Sequence, residues 1–128
     1  MILTDTSIVI EFLRTSDPRL QGIIVQYNAA VCGITRAEVL HGARNPAHQQ
    51  SLLIALNLFA QVSIPDSLWD QVGHNLAVLR GSGVTVPFND VVIATVALVN
   101  NLELWTRDAQ FVLIQRVLPQ LRLFQEPP

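Results

Sequence analysis

The chain has 128 residues, half of them apolar and only 14% charged, which suits one domain over residues 1–128 with a layered core and some apolar surface left for a partner. A formal net charge of −2 excludes a broad basic field, so any polyanion has to be gripped locally. All eight basic residues are arginine; the lack of lysine excludes Gly-Lys phosphate loops, Schiff-base chemistry and phospho-aspartate sites that need a neighbouring lysine.

Ile2 to Thr4 predicts a short buried strand, after which Thr6 or Ser7 can cap a helix to about Leu13. This start has no basic region and meets Asp5 and Glu11 early, unlike a secretory signal. Pro18 marks the next helix start, with helix expected over Arg19 to Asn28. Ala30 to Ile34 is expected to be the second strand, holding the single Cys32 as a small core residue; one cysteine excludes an internal disulfide. A helix from Thr35 to Arg44, punctuation at Asn45 and Pro46, and a helix over Ala47 to Leu58 follow.

Phe59 to Ile64 is strand-like, and Ser67 to Arg80 is helical. The uncharged run from Asn45 to Pro65 is too polar for a membrane span, so a soluble, cytoplasmic protein is expected. Val84 to Phe88 is extended or a loop. The segment after Asn89 is rich in β-branched residues, yet its length favours a buried helix. Glu103 to Thr106 is expected as strand, Asp108 to Leu118 as helix, and Leu121 to Phe124 as a last strand. This alternation predicts a three-layer α/β/α sandwich around a mostly parallel sheet, with ligands beyond the carboxyl ends of its strands.

The acids at those strand-to-helix turns are the chemical candidates. Asp5 can be an N-cap, Thr35 and Glu38 spell a capping box, Asp90 suits the first turn of a helix, and Asp108 can be an N-cap. As a set they would face one cleft and repel one another unless protonated or bridged by a cation, and hard oxygen ligands suit Mg²⁺ or Mn²⁺. Asp66 occupies a similar turn, so topology alone offers five candidates.

The blocks "MILTDTSIVIEFLR", "ITRAEVLHGAR", "VPFNDVVIATVAL" and "LWTRDAQF" resemble, in order and spacing, those of PIN-domain proteins, most closely the VapC-type toxins of toxin-antitoxin systems. The resemblance covers nearly the whole chain. It implies a metal-dependent endoribonuclease using one or two Mg²⁺ or Mn²⁺ ions on Asp5, Glu38, Asp90 and Asp108, leaving a 5′-phosphate and a 3′-hydroxyl. It leaves Asp66 to helix capping. Thr106 stands where the family places a hydroxyl that orients carboxylate or metal-bound water, with Thr6 and Ser7 as supporting hydroxyls. Asn89 departs from the small or hydroxyl residue that often precedes the third acid.

Arg14, Arg36 and Arg107 lie close in sequence to the acidic blocks and are candidates for RNA phosphate contacts. His41, His48 and His74 lack metal-binding spacing and are expected on the surface or in packing. The resemblance also implies a VapB-like antitoxin, a homodimer, and contact with DNA only through that antitoxin. Two other functions fit the same fold. One is an RNA-processing nuclease outside any toxin system; the other is a non-catalytic RNA- or protein-binding module with a degenerate metal site.

Overall fold

The computed structural model describes residues 1–128. In chain order the elements are β1 (Ile2–Thr4), α1 (Thr6–Thr15), α2 (Pro18–Gln26), β2 (Ala29–Cys32), α3 (Gly33–His41), α4 (Pro46–Leu56), β3 (Ala60–Val62), α5 (Leu68–Gly81), α6 (Phe88–Val99), β4 (Leu104–Trp105) and α7 (Gln110–Val117). The strands form one parallel sheet in the order β3-β2-β1-β4. Leu3 is opposite both Ala30 and Leu104, which makes β1 a central strand.

Alternation along these strands divides the interior. Leu3, Cys32 and Leu104 point to one face and pack with α5, α6 and α7. Ile2, Ala29, Val31 and Trp105 point to the other and pack with α1, α2 and α4. Helices therefore cover both faces, as parallel strands joined by helical crossovers require, and the expected three-layer α/β/α sandwich is the observed architecture. No helix is long and apolar enough to cross a membrane.

The β-branched run after Asn89 is helical. Val91 through Ala97 are all buried, and such all-round enclosure overrides the strand preference of valine and isoleucine. Thr95, inside this helix, is kept polar-satisfied: its hydroxyl donates to the Val91 carbonyl at 2.7 Å and accepts from Asn75 Nδ2 of α5 at 3.0 Å.

Several boundaries differ from the sequence expectation, each for a local reason. Asp5, rather than Thr6 or Ser7, caps α1, its carboxylate accepting from the Ser7 amide. The α3 helix starts at Gly33 without a side-chain cap, so Thr35 is buried inside it and the Thr35–Glu38 capping box does not form. Asp66 does not cap α5; the cap position is Ser67, which makes no side-chain cap bond, and the β3–α5 turn is closed by backbone bonds from Leu68 to Pro65 and from Trp69 to Asp66. Val84 to Pro87 is a loop, so no strand precedes α6. The expected strand over Leu121–Phe124 reduces to a single parallel bridge between Leu123 and Leu104, because the two-residue β4 offers few backbone groups to pair.

Candidate active site

Asp5 follows β1 directly and is only 4% exposed. Its Oδ2 accepts from Ser7 Oγ at 2.7 Å and from Thr106 Oγ1 at 2.9 Å, besides the Ser7 amide. Burial pushes the carboxyl above its ordinary range, and the Ser7 and Thr106 hydroxyls and the backbone amides of Ser7 and Thr6 pull against that rise. The Thr106 oxygen also accepts from the Asp108 amide at 2.9 Å. One threonine thus joins the turns that follow β1 and β4, which are neighbours in the sheet.

Glu38 arrives from β2, the neighbour on the other side of β1. It lies in the second turn of α3, and its carboxylate reaches across to other elements rather than back to its own helix end. Oε1 accepts from Thr6 Oγ1 of α1 at 2.7 Å, and Oε2 from Asn89 Nδ2 of α6 at 3.4 Å. Asn89 is therefore a donor to one of the four acids, a role its sequence position as a departure from the family pattern did not disclose.

Asp90 sits in the first turn of α6, after a loop rather than a strand. Its carboxyl is pushed up to about 6 by burial first, and then by the charges of Asp5, Asp108 and Glu38. Asp108 precedes α7 and accepts from the Gln110 amide at 2.9 Å, so the helix-start role and membership of the acidic set coexist. The row Glu38, Asp5, Asp108 follows the strand order β2, β1, β4, and Asp90 joins it from the helix layer on one face.

None of these four acids is in an ion pair; the three pairs present are Arg14–Glu11, Arg19–Glu126 and Arg107–Glu126. Four carboxylates that share one field without a basic partner favour a bound cation or a proton. No three His, Cys, Asp or Glu side chains are clustered as direct ligands of one ion. The four acids offer only hard carboxylate oxygens, the donor type that suits a hydrated Mg²⁺ or Mn²⁺, which keeps several waters and takes few direct carboxylates.

The three arginines picked out by sequence all have partners within the chain. Arg14 donates to Glu11, Arg36 to Asn57 at 3.4 Å, and Arg107 grips Glu126 through Nε and Nη2, both at 2.9 Å. Thr6 and Ser7 each touch one of the acids, as described above. Of the histidines, His41 and His74 are exposed, and His48 Nδ1 accepts from the Arg44 amide at 3.0 Å.

The PIN domain family model matches residues 2–117. The chain belongs to the PIN-domain family. No curated protein sequence matches it significantly, but solved structures share its fold. The VapBC2 complex of Rickettsia felis, bound to a DNA fragment from its promoter, contains a chain with 22% identity and a TM-score of 0.84, with coverage of 97% of this chain and 98% of that one. VapBC-1 from nontypeable Haemophilus influenzae gives 22% identity, a TM-score of 0.81 and 98% coverage of both chains. VapBC-5 of Mycobacterium tuberculosis, described as a member of the VapBC family of toxin-antitoxin systems, gives 21% identity, a TM-score of 0.67 and 97% coverage of both. The sheet and the helices that cover it are thus a fold shared at low identity.

Proposed function

We propose that this PIN domain is a Mg²⁺- or Mn²⁺-dependent endoribonuclease and the toxin of a VapBC-type toxin-antitoxin pair. The observation that carries the reading is the quartet itself: burial, and then the charges of Asp5, Asp108 and Glu38, raise Asp90 to about 6, and no cation of the chain pairs with any of the four. Asp5, Glu38, Asp90 and Asp108 would hold the metal. When bound, the ion supplies a polarised phosphate oxygen and a coordinated water of lowered pKa.

The chain's own part is to fix the oxygens beforehand. Ser7 and Thr106 orient Asp5, Thr6 and Asn89 orient Glu38, and the Gln110 amide orients Asp108. Such donors lock ligand direction, which is how surrounding hydrogen bonds tune a metal site. Asp90 has no such donor and gains most from a cation. In the same reading, exposed Val25, Ile54, Leu58 and Val99 offer apolar area to a second copy of the chain and to an antitoxin.

The test uses purified chain free of antitoxin. RNA should be cut with Mg²⁺ or Mn²⁺ and left intact with chelator, and Asp5→Asn should abolish cutting while the thermal transition remains cooperative. A wild-type rate in Asp5→Asn would refute the site. Growth arrest on expression, relieved by a co-expressed antitoxin, separates the toxin role from that of a processing nuclease.

A further inference from the structure

Four surface cavities are present, and two of them adjoin the acidic row. The first, about 390 Å³, runs between α1, α3 and α4 and is lined by Ile10, Leu13, Arg14, Glu38, Arg44 and His48 among others. The second, about 360 Å³, lies along α7 and is lined by Asp108, Gln110, Val112, Leu113 and Arg116 among others. Glu38 and Asp108 are the two ends of the row that follows the strand order β2, β1, β4. The two grooves therefore open at opposite ends of the same line of carboxylates.

Each groove carries an exposed arginine that no carboxylate neutralises. Arg44 stands in the first and Arg116 in the second, and neither takes part in any of the three ion pairs. By contrast, Arg14 and Arg107 are matched by Glu11 and Glu126. Next to Arg44, His48 is fixed by accepting the Arg44 amide on Nδ1, so the neutral ring carries its proton on Nε2 as a donor. Apolar side chains accompany the cations on both sides: Ile10 is 50% exposed in the first groove, Val112 and Leu113 are 41% and 37% exposed in the second. Arg80 is also unpaired, but its cavity contains none of the four acids, and the fourth cavity contains neither an arginine nor one of those acids.

We infer that a single RNA strand crosses the carboxyl edge of the sheet from one groove to the other, its phosphates held on either side of the cut by Arg44, with His48, and by Arg116. Alternation of a phosphate-binding cation with an apolar wall is what a single strand needs, since its backbone is anionic and its bases have exposed faces. A duplex would present no free base faces to those walls. In a chain of net negative charge, two unpaired guanidinium groups flanking the acids also explain how a polyanion approaches four carboxylates at all.

This inference rests on the ribonuclease reading, and two measurements keep their failures apart. The first is binding of a fluorescein-labelled oligouridylate of about twelve nucleotides to Asp5→Asn protein, followed by anisotropy across a salt series. Arg44→Ala and Arg116→Ala should each weaken binding about three- to tenfold and lower the salt slope by about 0.7, while Arg80→Ala, with the same charge change, should leave both unaltered. Equal behaviour of all three variants overturns the path, including the case in which the grooves hold a protein segment instead. The second is cleavage by otherwise wild-type enzyme, where Arg44→Ala and Arg116→Ala should raise KM with kcat nearly kept. Unchanged KM with active enzyme sinks the path and spares the nuclease; arginine-dependent binding without any metal-dependent cleavage does the reverse.

Discussion

Thr106 Oγ1 donates to Asp5 Oδ2 across 2.9 Å, linking residues 101 positions apart in the chain. The same oxygen accepts the Asp108 amide, so its hydroxyl holds two of the four acids in one arrangement. Replacing it with valine keeps the shape and removes both bonds. Asp5 then rises further, because a donor that opposed the effect of burial is gone. Thr106→Val should lower RNA cleavage about 10- to 100-fold and shift its dependence to higher Mg²⁺, whereas Thr106→Ser retains most activity. A Mg²⁺ titration of the cleavage rate at fixed pH checks both.

Asp90 gives a pH dependence with a definite sign. Its carboxyl titrates near 3.8 when unperturbed and at about 6 in the fold. Between those values the folded chain binds more protons than the unfolded one, so metal-free stability falls as pH rises and levels off above about 6. Buried Asp5, also raised, acts in the same direction. Metal-free Asp90→Asn should melt higher than wild type at pH 7, with the gap closing toward pH 4. Mg²⁺ should raise the melting temperature of wild type more than that of the variant. Thermal melts with chelator and with Mg²⁺ across this pH range decide it.

How far the sequence led can be judged element by element. Alternation of short apolar strands with helices was enough for the layers, because parallel strands need covered faces and the pattern repeats along the chain. The acids Asp5 and Asp108 were legible as residues immediately after β1 and β4. Glu38 was ambiguous, since a Thr-x-x-Glu spacing is also a cap; only the start of α3 at Gly33 shows that its carboxylate is free to meet Thr6 and Asn89. Asp90 was placed correctly on a helix, but no strand leads into it, a fact that depends on the loop Val84 to Pro87. The partners of Arg107 and Arg36 were invisible, because Glu126 and Asn57 meet them only through tertiary packing.

The buried pair Asn75 and Thr95, which no spacing announces, predicts a purely structural effect. Asn75 Nδ2 donates to Thr95 Oγ1 at 3.0 Å, between α5 and α6, and both residues are at most 4% exposed. Truncating Asn75 removes a buried donor and leaves a small void. Asn75→Ala should cost about 1–3 kcal/mol of stability, seen as a lower denaturant midpoint. Cleavage per folded molecule should be unchanged, because neither residue touches an acid of the quartet.

Glu126 ties the end of the chain to the sheet. Its carboxylate accepts both Arg107 nitrogens at 2.9 Å, Arg19 Nη1 at 3.1 Å and Trp105 Nε1 at 3.1 Å, while Phe124 sits edge-on to Trp105 and Tyr27. The Arg107 bonds, helped by Trp105 and Arg19, pull the Glu126 carboxyl from 4.5 down to about 2. A depressed folded-state value means the stabilisation is complete above the unfolded value and disappears as pH falls through about 2. The guanidinium groups are 41% and 49% exposed, so solvent screening holds the worth of the network to about 1 kcal/mol. Glu126→Gln keeps one acceptor and loses the charge. It should lower the melting temperature at pH 7 by about 3–5 °C, and the gap from wild type should narrow steadily between pH 4.5 and pH 2. A gap that stays constant over that interval would mean that shape rather than charge fastens the tail, and the melting series at those pH values separates the two.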